Sequence, residues 1–143
     1  MLEKTFGNKL VNVDYYDRRG AYGIIIKNNR LATVKTTKGN FLIGGKIEND
    51  ESKQECIIRE CLEEIGYQVE IEGFICKTDS FLCHEKIGYF HPVSFFYLAN
   101  LKEKVEQPLA EDHDLEWIDL SEIDEKLYLN HQIWAVNQAI NLL

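Results

Sequence analysis

Glu60, Glu63 and Glu64 place three carboxylates within five residues, inside the stretch GGKIENDESKQECIIRECLEEIGY that runs from Gly44 to Tyr67. Such a cluster suits general acid–base work or the coordination of a hard cation such as Mg²⁺, which binds through a few carboxylates together with water and substrate phosphate. At ~100° per residue the three glutamates fall on one side of a helix. Ile57, Ile58, Cys61, Leu62 and Ile65 fall on another, the two centres lying roughly 140° apart. A solvated polar face opposite an apolar stripe is what any surface helix shows. Three features argue for more than that. Glu60 and Glu64 are like charges four residues apart near the C-terminal end, where repulsion and the helix dipole each cost roughly a few tenths of a kcal/mol. No lysine or arginine lies on the same turn to neutralise them, Arg59 being the only cation between Lys53 and Lys77, so a bound cation would do so. Gly44 and Gly45 let the backbone approach a ligand closely and can set a main-chain carbonyl beside a metal.

The elements that must position this face follow from pattern. Ser52 with Glu55 three residues on forms a capping box, and Gly66 marks the helix end. Leu10 to Tyr16, Ala21 to Lys27 and Arg30 to Thr37 are β-branched or aromatic runs punctuated by Arg19-Gly20 and Asn28-Asn29, which predicts strands joined by tight turns. Phe41 to Ile43 is a short strand; Tyr67 to Cys83, Ile87 to Asn100 and Leu115 to Ile118 return to strand character. Ser121 to Lys126 reads as one helical turn. After Asn130, the spacing of Ile133, Val136, Ile140 and Leu143 predicts an amphipathic helix closing against the sheet. Strands interrupted by one central and one terminal helix give an α/β or α+β fold with a mixed sheet. Strand alternation makes most of Phe81, Tyr89, Phe90, Phe95, Phe96 and Tyr97 core residues rather than base-stacking ones. His84, His91 and His131 have no partner legible in the sequence.

Size and composition bound the function. With 143 residues and no repeat or Gly/Ser/Pro-rich linker, the expectation is one domain spanning residues 1–143. A formal net charge of -8 argues against a nucleic-acid polymer as partner, since phosphate backbones are held by clusters of Lys and Arg. An anionic substrate would need a cation as intermediary. MLEKTFGNKL lacks the apolar core of a signal peptide and no run reaches membrane-spanning length, so the expected location is cytoplasmic, with no membrane partner. There Cys56, Cys61, Cys76 and Cys83 read as reduced and structural. A zinc site from Cys76, Cys83, His84 and His91 lacks the usual C-x-x-C spacing.

Gly45, five residues, Glu51, seven residues, then Arg59-Glu60-Cys61-Leu62-Glu63-Glu64-Ile65-Gly66-Tyr67 resembles the Nudix box, G-x5-E-x7-R-E-U-x-E-E-x-G-U with U a bulky apolar residue. Every charged and glycine position is present. Cys61 and Tyr67 are the weak fits, and Ile43 stands where many relatives have proline. The resemblance, of MutT-like type, implies the Nudix fold, a mixed sheet sandwiched between helices. It implies Mg²⁺- or Mn²⁺-dependent hydrolysis of a pyrophosphate bond in a nucleoside diphosphate linked to another moiety. By the same resemblance Glu60, Glu63 and Glu64 bind metal, the Gly44 carbonyl is a further ligand, and Arg59 orients the loop by pairing with Glu51. Glu60 serves as ligand or general base. Glu48 matches a glutamate common in MutT-type relatives, and Gly45 and Gly66 are structural. Glu111, six residues before Trp117, ranks above Asp112, Asp114 and Glu116 as a carboxylate recruited from beyond the box, with Glu103 and Glu106 behind them. Neither the proline tag of ADP-ribose hydrolases nor the tyrosine tag of diadenosine polyphosphate hydrolases stands downstream, where Leu82, Cys83, His84 and Glu85 fall. That leaves a nucleoside triphosphate pyrophosphohydrolase as the expected activity. The alternatives are hydrolysis of a nucleotide sugar or dinucleoside polyphosphate, or a non-catalytic nucleotide-sensing module. The partner is then a small nucleotide; the resemblance also admits a homodimer, since dimers are frequent in the family, but the oligomeric state is not legible in the sequence.

Overall fold

The structure, a computed structural model, describes residues 2–105 and 114–143. Its main sheet joins β1 (Glu3–Phe6), β7 (Tyr67–Ser80), β9 (Gly88–Lys104), β2 (Tyr16–Ile24) and β6 (Ile43–Lys46) in that spatial order, with β8 (Leu82–His84) paired to β9. The sheet is mixed: β1 with β7 and β2 with β9 run parallel, whereas β7 with β9 and β2 with β6 run antiparallel. A smaller sheet orders β10 (Asp114–Asp119), β4 (Arg30–Thr36) and β3 (Ile26–Lys27), with β5 (Gly39–Phe41) also paired to β4.

Period-two alternation divides the central strands between two cores. Phe95 and Tyr97 of β9 pack with Ala21, Cys56 and Ile57 on the side of helix α1 (Lys53–Ile65). Phe96, one residue out of phase, packs with Tyr22, Cys76, Ala135, Val136 and Ala139 on the side of helix α3 (Asn130–Asn141). A 3-10 turn, Leu120–Glu122, and the one-turn helix α2 (Ile123–Lys126) add Ile123 to the second core. Helices on both faces of a mixed sheet bear out the expected fold class.

Several boundaries differ from the sequence expectation. Leu10 to Tyr16 is not a strand: residues 7–15 form turns and irregular chain, with Asn12 at φ 62, and β2 starts at Tyr16. Arg19-Gly20 is no turn but the middle of β2, paired to β9 and, at Gly20, also to Lys46 of β6. Phe41 to Ile43 divides at Leu42 into β5 and β6, and Tyr67 to Cys83 divides at Phe81 into β7 and β8. Strand β1, polar and exposed, carried no apolar signal. Leu143 lies beyond α3 and is exposed. Phe95, Phe96 and Tyr97 are core residues as expected, while Tyr89 is exposed. None of the described helices is long and apolar enough to cross a membrane.

Candidate active site

Helix α1 starts and stops where its sequence dictates. Glu55 N–H donates to Ser52 Oγ at 3.0 Å and Ser52 N–H donates to Glu55 Oε1 at 2.8 Å, closing the capping box. At the other end the N–H of Gly66, left-handed at φ 73, donates to the Cys61 and Leu62 carbonyls. Between these caps the buried residues are Cys56, Ile57, Cys61, Glu64 and Ile65; Ile58 is exposed. The buried arc is therefore rotated by roughly 65° from the stripe of apolar residues, because at ~100° per residue Glu64 falls only about 20° from Ile57. Glu60 and Glu64 on the acidic side face β6, while the Glu63 side chain stays 42% exposed.

Gly45 is what allows this. A Cβ at that position would stand 2.7 Å from the Glu60 carboxyl carbon and 2.7 Å from its Oε1, so the carboxylate lies directly against the β6 backbone. Beside it, Gly44 N–H donates to Glu64 Oε1 at 2.9 Å. Gly45→Ala is expected to lower kcat by about 10-fold or more together with a modest drop in melting temperature, since the Glu60 oxygen it displaces also accepts the bond from Arg59 Nη1. Kinetics and thermal unfolding of the same preparation check it; full activity would show that the placement of Glu60 is immaterial.

Arg59 corrects the expectation that the cluster lacks a cation. Its Nε and Nη2 grip Glu51 in a fork at 2.7 and 3.0 Å, and its Nη1 donates to Glu60 Oε1 at 2.9 Å and to Glu63 Oε2 at 3.1 Å. Nη2 also donates to the Lys46 carbonyl at 3.0 Å. One guanidinium thus ties the loop after β6 to two of the three carboxylates, because its five planar donors can serve several acceptors at once. Glu51 additionally accepts the Glu48 N–H at 3.0 Å, so Glu48 is bound through its backbone.

The electrostatics differ sharply among these carboxyls. Arg59's hydrogen bonds hold Glu51 down to about 2. Burial pushes Glu60 up, against the pull of Arg59. Burial pushes Glu64 up to about 8, opposed by the Gly44 N–H bond and reinforced by the charges of Glu60 and Glu63. Burial also holds His131 down to about 4, so its imidazole is neutral near pH 7. His91, read from the sequence as lacking a partner, bridges Asp17 at 2.9 Å and Asp79 at 2.7 Å and stacks on Phe81. Those carboxylates lie 74 and 12 residues away in the chain, beyond the reach of any local pattern.

A cleft of about 700 Å³ opens beside the acidic face, lined by Gly44, Gly45 and Glu64 together with Arg18, Tyr22, Phe41 and Gln132. A ligand-sized volume therefore adjoins Glu64 directly. Sequence reasoning missed Arg18 and Gln132, which come from β2 and α3 and carry no motif. Glu111, Asp112 and Glu106 lie outside the described residues. Of the other carboxylates proposed, Asp114 opens β10 and is exposed, Glu116 pairs with Lys35 at 3.8 Å and Lys126 at 4.0 Å, and Glu103 is exposed near the end of β9.

Among the described residues no three His, Cys, Asp or Glu side chains converge as a ready metal cage, since Glu60 and Glu63 turn to Arg59. The donor set nonetheless fits a hard divalent cation. All donors are oxygens, one carboxylate is buried at the cleft wall, and a second fills the cradle that a Cβ on Gly45 would occupy.

The NUDIX domain family model matches residues 17–138. Among solved structures, the chain resembles a MutT NUDIX hydrolase from Burkholderia pseudomallei, with 23% identity and TM-score 0.69, covering 85% of this chain and 97% of that one. It also resembles a UDP-X diphosphatase, with 20% identity and TM-score 0.67, covering 94% of this chain and 64% of that one. A third is an ADP-ribose pyrophosphatase from Streptococcus suis, with 19% identity and TM-score 0.65, covering 87% and 90%. Comparison with curated proteins gives no match. A family match over most of the chain, laid on a cleft walled by the box's own glycines and glutamate, settles the assignment: the chain belongs to the NUDIX domain family and is a hydrolase of pyrophosphate-containing substrates.

Proposed function

We propose that the protein is a Mg²⁺-dependent nucleoside triphosphate pyrophosphohydrolase of MutT type, releasing a nucleoside monophosphate and pyrophosphate. The observation that carries this reading is the cleft itself, in which Glu64 and the Gly44-Gly45 backbone form one wall of a volume of about 700 Å³, within the size range of small-molecule sites. Glu63 and Glu64, with the Gly44 carbonyl, would hold the metal. Glu60 is a further ligand or the general base, and Glu111 is the candidate to complete the set. Mn²⁺ is the natural substitute. A bound divalent cation neutralises the phosphate oxygens and lowers the pKa of a coordinated water.

The chain's own residues do the rest. Arg59 ties the Glu60 and Glu63 carboxylates to the loop that carries Glu48 and Glu51, holding them beside the cleft, and a bound cation would draw them from that guanidinium. Burial of Glu64 keeps its carboxyl in a low-dielectric wall, where its interaction with a cation is strong. Nucleotide sugars and dinucleoside polyphosphates are the alternative substrates, and the names of the similar UDP-X diphosphatase and ADP-ribose pyrophosphatase add UDP derivatives and ADP-ribose.

Product release should be measured over nucleoside triphosphates, oxidised nucleotides, nucleotide sugars, ADP-ribose and dinucleoside polyphosphates, each with Mg²⁺ and with EDTA. Hydrolysis of triphosphates, with intact or oxidised bases, at least tenfold faster than nucleotide sugars, ADP-ribose and dinucleoside polyphosphates, and abolished by EDTA, is expected; a preference for one of those three would replace the triphosphate reading. Mg²⁺ at millimolar concentration should also raise the melting temperature, by about 2.7 kcal/mol of stability at 100 times its Kd. A flat thermal profile across that titration would count against the metal site.

A further inference from the structure

We propose that Gln132 reads the substrate's base, accepting an edge that carries a ring carbonyl oxygen and disfavouring one that carries an amino group; this rests on the nucleotide reading above. Gln132 sits on α3, is 1% exposed, and yet lines the cleft. Its Oε1 accepts the Leu42 N–H at 2.9 Å. Because a backbone N–H can only donate, that bond fixes which way the amide faces: the oxygen is committed to Leu42, and the NH₂ group is left to point elsewhere. Among the described residues no hydrogen-bond partner meets Nε2. A buried amide nitrogen without an acceptor is costly, and native structures rarely leave one so.

The surroundings sharpen the assignment. Of the hydroxyls that line the cleft, that of Thr36 is already engaged, donating to the Gly39 carbonyl and accepting the Lys38 N–H, both at 3.1 Å. Val34, Phe41, Leu42 and Leu129 give the cleft an apolar part beside the polar lining of Arg18, Thr37, Lys38 and Glu64. A flat, largely apolar ring fits that part, and the donor-only amide then selects what that ring presents at its edge. A carbonyl oxygen satisfies the NH₂ group. An exocyclic amino group sets donor against donor and leaves both unsatisfied, which is the strong form of discrimination available to a binding site.

Inosine and adenosine triphosphates differ at position 6 by this exchange, and the ratio of their kcat/KM values is the test. The wild-type protein is expected to prefer ITP by about tenfold or more. Gln132→Glu keeps an acceptor for Leu42 N–H while replacing the donor by an oxygen; measured at pH 9, it should lower that ratio at least tenfold. Gln132→Met should bring it near one. A wild-type ratio near one, or a ratio unmoved by Gln132→Glu in a folded variant, overturns the proposal, and the wild-type value decides even if a variant fails to fold. If another class is hydrolysed and triphosphates are not, the triphosphate reading fails separately, and the same ratio is read from hypoxanthine and adenine members of that class. If nothing is hydrolysed, calorimetric affinities of ITP and ATP for the wild type and Gln132→Glu are compared, and equal affinities overturn the proposal.

Discussion

Glu64→Gln is expected to lower kcat at saturating Mg²⁺ by about 10²–10³-fold, the scale on which loss of one preorganised electrostatic partner acts. In metal-free buffer above pH 8 it should at the same time raise the melting temperature. Glutamine keeps an oxygen to accept the Gly44 N–H, so that bond survives while the buried charge is removed. The sign follows from proton linkage. Glu64's carboxyl is pushed from 4.5 to about 8 by burial, so between those values the native state holds a proton that the unfolded chain has released. Stability contributed by that proton is fully present below pH 4.5 and is lost as pH rises through 8. The wild-type protein therefore carries its full penalty above pH 8, on the order of 1–3 kcal/mol after allowing for relaxation. That corresponds to roughly 3–10 °C in melting temperature for a domain of this size. The advantage of the variant should shrink toward pH 5. A variant that is less stable at pH 9 than the wild type, or one with full turnover, would contradict this account of Glu64.

Arg59→Ala should be the most damaging single truncation for folding and activity together. It removes the fork on Glu51, both bonds to the acidic face, and the bond to the Lys46 carbonyl. Glu51 and Glu60 side chains are only 14% and 16% exposed, so their charges would be left largely without a partner. The expected cost is about 2–3 kcal/mol, below that of a fully buried pair because the Arg59 side chain keeps 23% of its exposure. Catalysis should fall by about 10²-fold or more as Glu60 and Glu63 lose their fixed orientation. Lysine retains the charge and not the planar fork, so Arg59→Lys should recover less than half of either loss. A second signature separates this from general damage. Glu51 is held at about 2 in the native state, so its contribution is present above pH 4.5 and lost as pH falls toward 2; that acid-side slope should vanish in Arg59→Ala. Denaturant titrations from pH 2 to 6 on both proteins check it.

What the sequence made legible was local. Ser52 and Glu55 close their box within one turn, Gly66 ends the helix by a left-handed cap, and the Glu51–Arg59 pair spans eight residues. Such features are written in adjacent positions and need no knowledge of the rest of the fold. Gly20 shows how a local rule misleads. It reads as a turn residue, yet in β2 a Cβ there would meet the Gly45 carbonyl and the Tyr22 hydroxyl, both at 3.0 Å, so its smallness serves close strand packing. The aromatic run from Leu10 to Tyr16 had strand composition without a strand to pair with; Asn12 at φ 62 instead turns the chain. The rotation of α1 was invisible because periodicity records where apolar residues lie and not what the helix packs against. Glu64 is buried beside β6 because the Gly44-Gly45 backbone meets it there, and Ile58 is exposed for the complementary reason. The cleft was the least legible part, since Arg18, Phe41 and Gln132 reach it from three different elements.

The claim on which the rest depends is that this helix face and the glycine backbone opposite it take a divalent cation. Paramagnetic resonance titration of Mn²⁺ into the wild-type protein and into Glu64→Gln tests it without reference to any substrate. Saturable binding by the wild type, displaced by Mg²⁺ and weakened at least tenfold in the variant, is the predicted result; Mn²⁺ that stays free in the wild-type titration, or binds both proteins equally, would contradict it.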